Sequence, residues 1–259
     1  MPDSIGPRTG TADLSIIVPV YNEAPVLQEF FLRMGNVLRE LREARGLASE
    51  VLAVDDGSTD GSLRILQDLA REDGSLRVLH LEANRGQHEA IIVGLSEARA
   101  PLLVTIDADL QNPPEEIPHL VASLLQGHDL VAARRIRRHD PLSRRIVSRL
   151  ANWTSAALTR FYTRVPLHDV GCMLRGYRRE LVDRMLEASR EPGAPAPFIP
   201  ALALRFTRNA CEIDVEHAPR GHGRSRYGWA GLLGLHLRLL TTLARGRRAG
   251  ASTKRAGPE

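Results

Sequence analysis

Two carboxylates and an amide lie close together in the chain, directly after an apolar run. Asp107, Asp109 and Gln111 follow residues 101–106, which read PLLVTI. An apolar strand that ends in acidic residues places them at the carboxyl edge of a sheet, where open α/β folds bind ligands. Hard oxygen ligands at this spacing suit Mg²⁺ or Mn²⁺, which complete their coordination with water and substrate phosphates. We therefore expect a metal site that holds a diphosphate, although an acidic pair alone also fits a helix cap or a solvated turn.

Three further polar clusters end apolar runs earlier in the chain: VPVYNE at 18–23, VDDGSTDGS at 54–62 and NRGQ at 84–87. The first offers a stacking face and polar groups for a base or a ribose. In the second, glycines let the backbone approach a ligand, and a carboxylate can accept from a base N–H. The third opens a helix after a glycine turn, which favours anions. Each cluster alone also fits an ordinary turn or helix cap, but together they predict one nucleotide site.

The elements that must position these clusters alternate regularly through the first half. Apolar runs at 14–20, 51–54, 77–81, 102–106 and 130–133 predict strands, and apolar residues at helical spacing predict helices at 24–44, 62–70, 87–98 and 114–125. Such alternation predicts a mostly parallel sheet with helices on both faces. The carboxyl ends of its strands, and with them the polar clusters, meet at one edge.

The second half follows a different pattern. We expect a basic loop at 134–149 that enters a helix ending near 159, a strand at 172–175, a helix at 179–188, a proline-rich turn at 191–197, a strand at 211–217, a loop at 219–227 and an apolar helix at 229–243. The residues after 244 are rich in Gly, Ala and Arg, a composition typical of disorder.

Charge is divided unevenly along the 259 residues, 43% of which are hydrophobic. Residues 1–130 hold 10 Arg and 21 Asp or Glu, whereas residues 131–259 hold 25 Lys or Arg and 10 Asp or Glu. The second half is therefore expected to meet an anion, whether phosphate, a membrane surface or nucleic acid. Taken individually, Arg135, Arg137 and Arg138 are expected on a solvated surface. Two cysteines form neither a disulfide framework nor a zinc set, which indicates a reducing compartment.

Taken together, the motifs resemble those of a known enzyme family. VPVYNE, VDDGSTDGS, NRGQ, DADLQNPPE, DVGCMLRGYRRE and RGHGRSRY occur in the order found in family 2 glycosyltransferases of the GT-A fold. Within that family the chain is most similar to the polyprenyl-phosphate glycosyltransferases, which include dolichol-phosphate mannose synthases and the undecaprenyl-phosphate transferases of lipid A modification. The resemblance covers roughly residues 13–243. It implies an α/β GT-A domain, with a Rossmann-like, mostly parallel central sheet flanked by helices.

The resemblance also implies roles for individual residues. Nucleotide contacts would come from Pro19, Tyr21, Glu23, Asp55, Gly86, Gln87 and Asp107. Asp107, Asp109 and Gln111 would hold Mg²⁺ or Mn²⁺. The acceptor phosphate would be received by Arg134, Arg144 and Ser148. The catalytic residues would be Asp109, Asp169, Arg220 and Arg226, with Ser225 in the same diphosphate-closing loop as the last two. Arg226 replaces the Lys usual in that loop, which keeps the charge but changes the donor geometry.

The implied chemistry depends on cations. Departure of a nucleoside diphosphate builds negative charge, which a divalent ion and Arg220 and Arg226 would stabilise. A lipid phosphate is already an anionic nucleophile at neutral pH, so no strong general base is needed. Placing this anion beside the donor diphosphate instead requires cations such as Arg134 and Arg144.

The region after the motifs bears on membrane attachment. Transferases of the lipid A type carry two hydrophobic spans after the catalytic domain, but here only 11 residues separate Arg226 from Arg238, and a spanning helix needs about 20. No acidic residue occurs from His217 to Pro258, whereas nine basic ones do. The helix predicted at 229–243 therefore either lies on an anionic membrane or packs on the core or on a second subunit.

These expectations combine into one organisation: a flexible N-terminus (1–12), a GT-A domain (13–227), an amphipathic helix (228–244) and a basic disordered tail (245–259). No secretory signal is visible, so we expect a cytoplasmic protein, peripheral on the inner membrane face and without a transmembrane segment. The leading hypothesis is a metal-dependent inverting transferase that moves a sugar from a nucleotide donor, UDP-linked, to a polyprenyl phosphate. The alternatives are a soluble or glycan acceptor, or a synthase-like enzyme using GDP-mannose. A nucleic-acid module, which would bind with steep salt dependence, leaves the acidic first half unexplained.

Overall fold

A computed structural model describes residues 3–5, 12–136, 154, 156–157, 160, 165, 167–190 and 198–218. Within these residues the strands form one sheet of eight, in the order β1-β4-β3-β2-β5-β7-β6-β8. The strands are β1 (Asp3–Ile5), β2 (Leu14–Val20), β3 (Ser49–Asp55), β4 (Leu76–His80), β5 (Leu102–Thr105), β6 (Leu130–Arg135), β7 (Arg175–Arg178) and β8 (Ala210–Val215). The pairs β4-β3, β3-β2, β2-β5 and β6-β8 are parallel. The predicted mostly parallel α/β sheet is thus confirmed.

The central strands form where the sequence is predominantly apolar, because helices cover both of their faces. In β2 every residue but Pro19 is buried, and in β5 all four are. The helices are α1 (Ala24–Arg45), α2 (Ser62–Glu72), α3 (Gln87–Glu97), α4 (Ile117–Leu125), α5 (Arg179–Ser189) and α6 (Ile199–Phe206), with a 3₁₀ turn at Pro114–Glu116. The buried side chains divide into two apolar clusters.

Helix α3 lies unusually close to the sheet, which matters because α3 begins at the predicted site. A Cβ placed on Gly94 would lie 2.4 Å from Ile17 Cγ2 and 3.1 Å from Val54 Cγ2. Only glycine permits this approach of the helix to β2 and β3. The close packing fixes where Gln87, the first residue of α3, meets the sheet edge.

The second half differs from expectation in three places. β7 begins at Arg175, where the predicted strand 172–175 ends, because Cys172 and its apolar neighbours lie in a buried loop. Antiparallel β7 separates β5 from β6, so the first strand after the predicted basic loop lies inside the sheet. Helix α6 was not predicted, since it is short and has proline in its first turn.

The N-terminal segment expected to be flexible, residues 1–12, contains strand β1, which pairs antiparallel with β4. Of the predicted helix ending near 159, the structure describes only residues 154, 156, 157 and 160, and all four are helical. The turn at 191–197, the helix at 229–243 and the tail lie outside the described residues. Among the helices that the structure does describe, none is long and apolar enough to cross a membrane.

Candidate functional site

The acidic turn that follows β5 has a strained backbone. Leu110, between Asp109 and Gln111, adopts a left-handed conformation with φ 59°, which a bulky residue rarely adopts. The turn is held by the backbone N–H of Gln111, which donates to Asp109 Oδ1 at 3.1 Å, while the Leu110 side chain packs on the core. Strain of this kind persists only where the surroundings enforce it and is typical of functional turns.

Gln87 joins the start of α3 to this turn, because its side-chain amide donates a short hydrogen bond to Asp107. The turn before α3 is fixed by a residue that we did not single out from the sequence. Asp56 accepts from the backbone N–H groups of Arg85 at 2.7 Å and Gly86 at 2.9 Å. The buried Asp56 carboxylate therefore holds the Gly86–Gln87 turn against Asp107.

Asp107 is under electrostatic stress in this structure. Burial and the neighbouring charge of Asp109 raise the pKa of Asp107 to about 7. The positive charges of Arg135 and Arg175 and the Gln87 hydrogen bond offset part of that effect. A cation bound at the turn would lower the pKa of Asp107 and relieve the repulsion between the two carboxylates.

Asp55, at the end of β3, offers a hydrogen-bond acceptor. It is fully buried. Its Oδ2 accepts from His80 Nδ1 at 2.8 Å and, at 3.4 Å, from the backbone N–H of Ser58. Among the described residues no group donates to Oδ1, which is also buried. A buried acceptor without a donor costs free energy, so Oδ1 is suited to a ligand N–H.

The first two clusters are bonded directly to each other. The backbone N–H groups of Asn22 and Glu23 donate to the hydroxyls of Ser58 and Ser62 at 3.0 and 2.9 Å. The Asn22 side chain in turn accepts from the backbone N–H of Thr59 at 2.7 Å. These contacts place Tyr21 and Glu23, at the end of β2, beside the loop that follows Asp55.

Two neighbouring arginines at the end of β6 have different partners. Arg134, predicted to receive the acceptor phosphate, forms a two-bond ion pair with Asp214 at 2.6 and 2.9 Å, and both side chains are more than two-fifths exposed. Arg135 pairs with Asp169 at 2.7 and 2.8 Å. Its side chain is 18% exposed and that of Asp169 only 4%. The expectation that Arg135 lies on a solvated surface was therefore wrong, because consecutive residues of a strand point to opposite faces.

The loop that carries Asp169 is bonded to its surroundings on both sides. Glu212 on β8 accepts from the backbone N–H groups of His168 and Asp169 at 2.7 and 3.0 Å. Cys172 Sγ lies 3.6 Å from Asn112 Oδ1, in the segment that follows the acidic turn. Burial raises the pKa of the Cys172 thiol to about 11, which excludes a thiolate nucleophile at neutral pH.

The chain after β8 passes beside the acidic turn. The backbone N–H of Ala218 donates to the Gln111 carbonyl at 2.9 Å, and that of Glu216 donates to Glu116 Oε1, also at 2.9 Å. The predicted residues further along the chain, Arg220, Ser225 and Arg226, lie outside the described residues, as do Arg144 and Ser148.

The donor set fits a divalent ion only together with a substrate. Among the described residues no group of three or more His, Cys, Asp or Glu side chains could hold a metal ion by itself. Mg²⁺ or Mn²⁺ nevertheless needs only one or two carboxylate ligands from the protein when phosphates and water supply its other ligands. The chemistry of Asp107 and Asp109 therefore fits this metal class.

The structure thus brings Asp55, Gln87, Asp107, Asp109 and Asp169 to the carboxyl edge of the sheet. Four further contributors were not predicted from the sequence: Asp56, His80, Arg135 and Arg175. The second carboxylate of the DDG sequence was a signal for Asp56. For His80 and Arg175 the partners depend on strand register, which the sequence does not specify.

The sheet, its covering helices and the acidic turn at its carboxyl edge define an α/β protein of the GT-A class. Solved structures agree: glucosyl-3-phosphoglycerate synthase from Mycobacterium tuberculosis, in complex with Mn²⁺, UDP and glucosyl-3-phosphoglycerate, matches 91% of this chain and 80% of its own, with TM-score 0.62 and 21% identity. At that identity the match supports the fold alone.

Residues 15–186 match the model of glycosyl transferase family 2. Undecaprenyl-phosphate 4-deoxy-4-formamido-L-arabinose transferases from Pseudomonas aeruginosa and Shewanella sediminis are 47% and 42% identical over 231 residues, 89% of this chain. The chain spans 65% and 66% of the length of these relatives. It belongs to glycosyl transferase family 2.

Proposed function

We propose that the protein is a metal-dependent inverting glycosyltransferase that moves a sugar from a UDP-linked donor to undecaprenyl phosphate or a similar polyprenyl phosphate. The observation that carries this proposal is the meeting of Asp55, the Gln87–Asp107 pair and Asp109 at one sheet edge. Relatives 47% identical, named for transfer to undecaprenyl phosphate, support the acceptor class.

The donor nucleoside would lie between the β2 and β3 loops. Asp55 Oδ1 would accept the imide N–H of the base, because this buried oxygen has no donor among the described residues. Pro19, Tyr21 and Glu23 would bound the nucleoside from the end of β2, since their loop is bonded to the loop after Asp55. Gly86 and Gln87 would approach from the start of α3.

Asp107 and Asp109 would hold Mg²⁺ or Mn²⁺, with Gln111 orienting the turn through its backbone contact with Asp109. The bound ion would supply positive charge to the departing diphosphate. Asp109 would hold the ion together with Asp107, and Gln87 would keep Asp107 in place through its hydrogen bond. Arg220 and Arg226 would add positive charge from the segment that follows Ala218.

The acceptor phosphate would enter from the side of β6. Arg144, Ser148 and Arg134 would receive it, Arg134 by exchanging its exposed partner Asp214. We add Arg135 to this group because it lies at the site and its charge reaches Asp107. Asp169 would orient Arg135, and the anionic acceptor itself would attack the sugar carbon opposite the leaving group.

The test is donor turnover by the full chain with Mn²⁺, measured as nucleoside diphosphate release with and without undecaprenyl phosphate. We expect UDP-sugars to be used and the lipid phosphate to raise the rate, with Asp109→Asn inactive. Release that undecaprenyl phosphate does not stimulate would favour a soluble or glycan acceptor, and preference for GDP-mannose would favour the synthase-like alternative. No turnover of any nucleotide sugar would refute the proposal.

We also propose that the protein binds peripherally to anionic membrane at the cytoplasmic face, because the second half is strongly basic. Flotation with anionic and neutral liposomes tests this, since only the anionic vesicles should carry the protein. Recovery in the soluble fraction with both would contradict it. The same preparation, measured by light scattering, decides whether the protein is a homo-oligomer.

A further inference from the structure

His80 and Asp55 are register partners at the carboxyl ends of two parallel strands. The β3–β4 ladder pairs Asp55 with His80 as its last step, so both side chains project from the same face of the sheet. Asp55 is fully buried, whereas about a third of the His80 side chain is exposed. His80 therefore lies closer to solvent than Asp55 at the same carboxyl edge of the sheet.

The contacts of Asp55 are divided unequally between its two oxygens. Oδ2 accepts from His80 Nδ1 at 2.8 Å, and its other donor, the Ser58 N–H, is distant at 3.4 Å. Oδ1 has no donor within the described residues. Because the Ser58 contact is long, His80 is the group that fixes the plane of the carboxylate. Oδ1 is thereby held ready for a ligand.

An oxygen held in this way discriminates between bases. A carboxylate oxygen only accepts hydrogen bonds. Uracil presents an N–H at position 3, whereas cytosine presents a lone pair there, which a fixed carboxylate oxygen repels. A carboxylate free to rotate would lose much of this discrimination, because it could turn away from the lone pair and toward other donors.

We propose that His80 is a specificity-determining positioning residue, which orients Asp55 so that the donor site accepts bases with an imide N–H and rejects cytosine. The proposal rests on the nucleotide-sugar donor proposed above and names the feature of that donor which the site selects. His80 acts through Asp55 and is not itself a catalytic residue.

The experiment measures dissociation constants of UDP and CDP by calorimetry, with Mn²⁺ and the full chain. For the wild type we expect UDP to bind at least about tenfold more tightly than CDP. In His80→Leu the UDP constant should rise about tenfold, the worth of one hydrogen bond to a charged group, while the CDP constant changes little. His80→Asn, which places an amide donor where Nδ1 lies, should restore most of the preference.

His128→Leu is the matched control, since His128 is half-buried like His80, bonds Asn209 and precedes β6 at the opposite edge of the sheet. It should leave both constants unchanged. If His80→Leu does not fold, His80→Gln, whose amide reaches beyond the Nδ1 position, should show the same loss of preference. A role in folding alone would lower the melting temperature without changing the ratio of the two constants.

The outcomes separate this proposal from the function on which it rests. Wild-type protein that prefers UDP, with a ratio that His80→Leu leaves intact, overturns the role of His80 and spares the proposed function. Wild-type protein that binds neither nucleotide overturns both. A ratio that collapses in His80→Leu and returns in His80→Asn supports both.

Discussion

Asp107 is held at a cost to the stability of the metal-free protein, and Asp107→Asn should remove that cost. Burial and Asp109 raise its pKa from 3.8 to about 7. The unfolded chain ionises this group near its ordinary value, so between about pH 4 and pH 7 the folded protein binds the extra proton. Stability therefore falls as the pH rises through this window, and the loss is complete above about pH 7.

The size of the effect follows from the shift in pKa. At about 1.4 kcal/mol per pH unit, three units correspond to about 4 kcal/mol. Because Asp107 keeps part of its surface in solvent, we expect about half of this, or about 2 kcal/mol. For a chain of this size that is a rise in melting temperature of about 4–8 °C at pH 8. Asparagine retains an oxygen that can accept from Gln87.

The assay is thermal unfolding of the wild type and Asp107→Asn in EDTA at pH 8 and at pH 4.5. The rise in melting temperature should be smaller at pH 4.5 than at pH 8. Asp60→Asn is the control of opposite sign. Burial opposes ionisation of Asp60, but hydrogen bonds from Ser62 and Ala24 outweigh it and lower its pKa, so this variant should be less stable at pH 8. An Asp107→Asn protein that melts at or below the wild-type temperature at pH 8 would refute the reasoning.

Three other predictions follow from the same contacts. Arg135→Met should destabilise the protein by about 3–5 kcal/mol, because it removes the guanidinium that pairs with the buried Asp169 carboxylate, whereas Arg134→Met should cost less than about 1 kcal/mol; equal losses in urea unfolding would contradict this. Gly57→Ala should cost more than Gly46→Ala, since both have positive φ but only at Gly57 would a Cβ lie 2.7 Å from other backbone atoms; chemical unfolding compares them. Mn²⁺ affinity should fall below about pH 7, where a proton competes for Asp107, and a flat calorimetric profile from pH 5.5 to 8 would count against Asp107 as a ligand.

The central part of the fold could be predicted because its physical signal is local. Strands β2, β3 and β5 are covered on both faces, so their sequences are predominantly apolar, and short polar clusters mark their ends. The acidic turn could be predicted for the same reason, since Asp107 follows a strand that contains no polar residue but Thr105. Because β4, β3, β2 and β5 are neighbouring parallel strands, the polar clusters that follow them lie at the same edge of the sheet.

The parts that could not be predicted depend on contacts between distant segments. The apolar residues that begin at Cys172 fill a buried loop, whereas Arg175, although charged, lies fully buried in β7 with Nη2 donating to the Val170 carbonyl at 2.7 Å. Hydropathy alone therefore assigns the apolar loop residues to the strand. In the same way the Arg135 side chain is only 18% exposed because it pairs with Asp169, 34 residues away, and no local pattern reports that contact.

The most direct test of the central claim is whether Asp107 and Asp109 bind a divalent ion jointly with a nucleoside diphosphate. The electron paramagnetic resonance signal of free Mn²⁺, titrated with the full chain in the presence and absence of UDP, measures this binding. We expect weak Mn²⁺ binding without UDP, binding strengthened by UDP, and loss of that strengthening in Asp109→Asn. Mn²⁺ binding that UDP does not strengthen, or that Asp109→Asn leaves intact, would contradict the account.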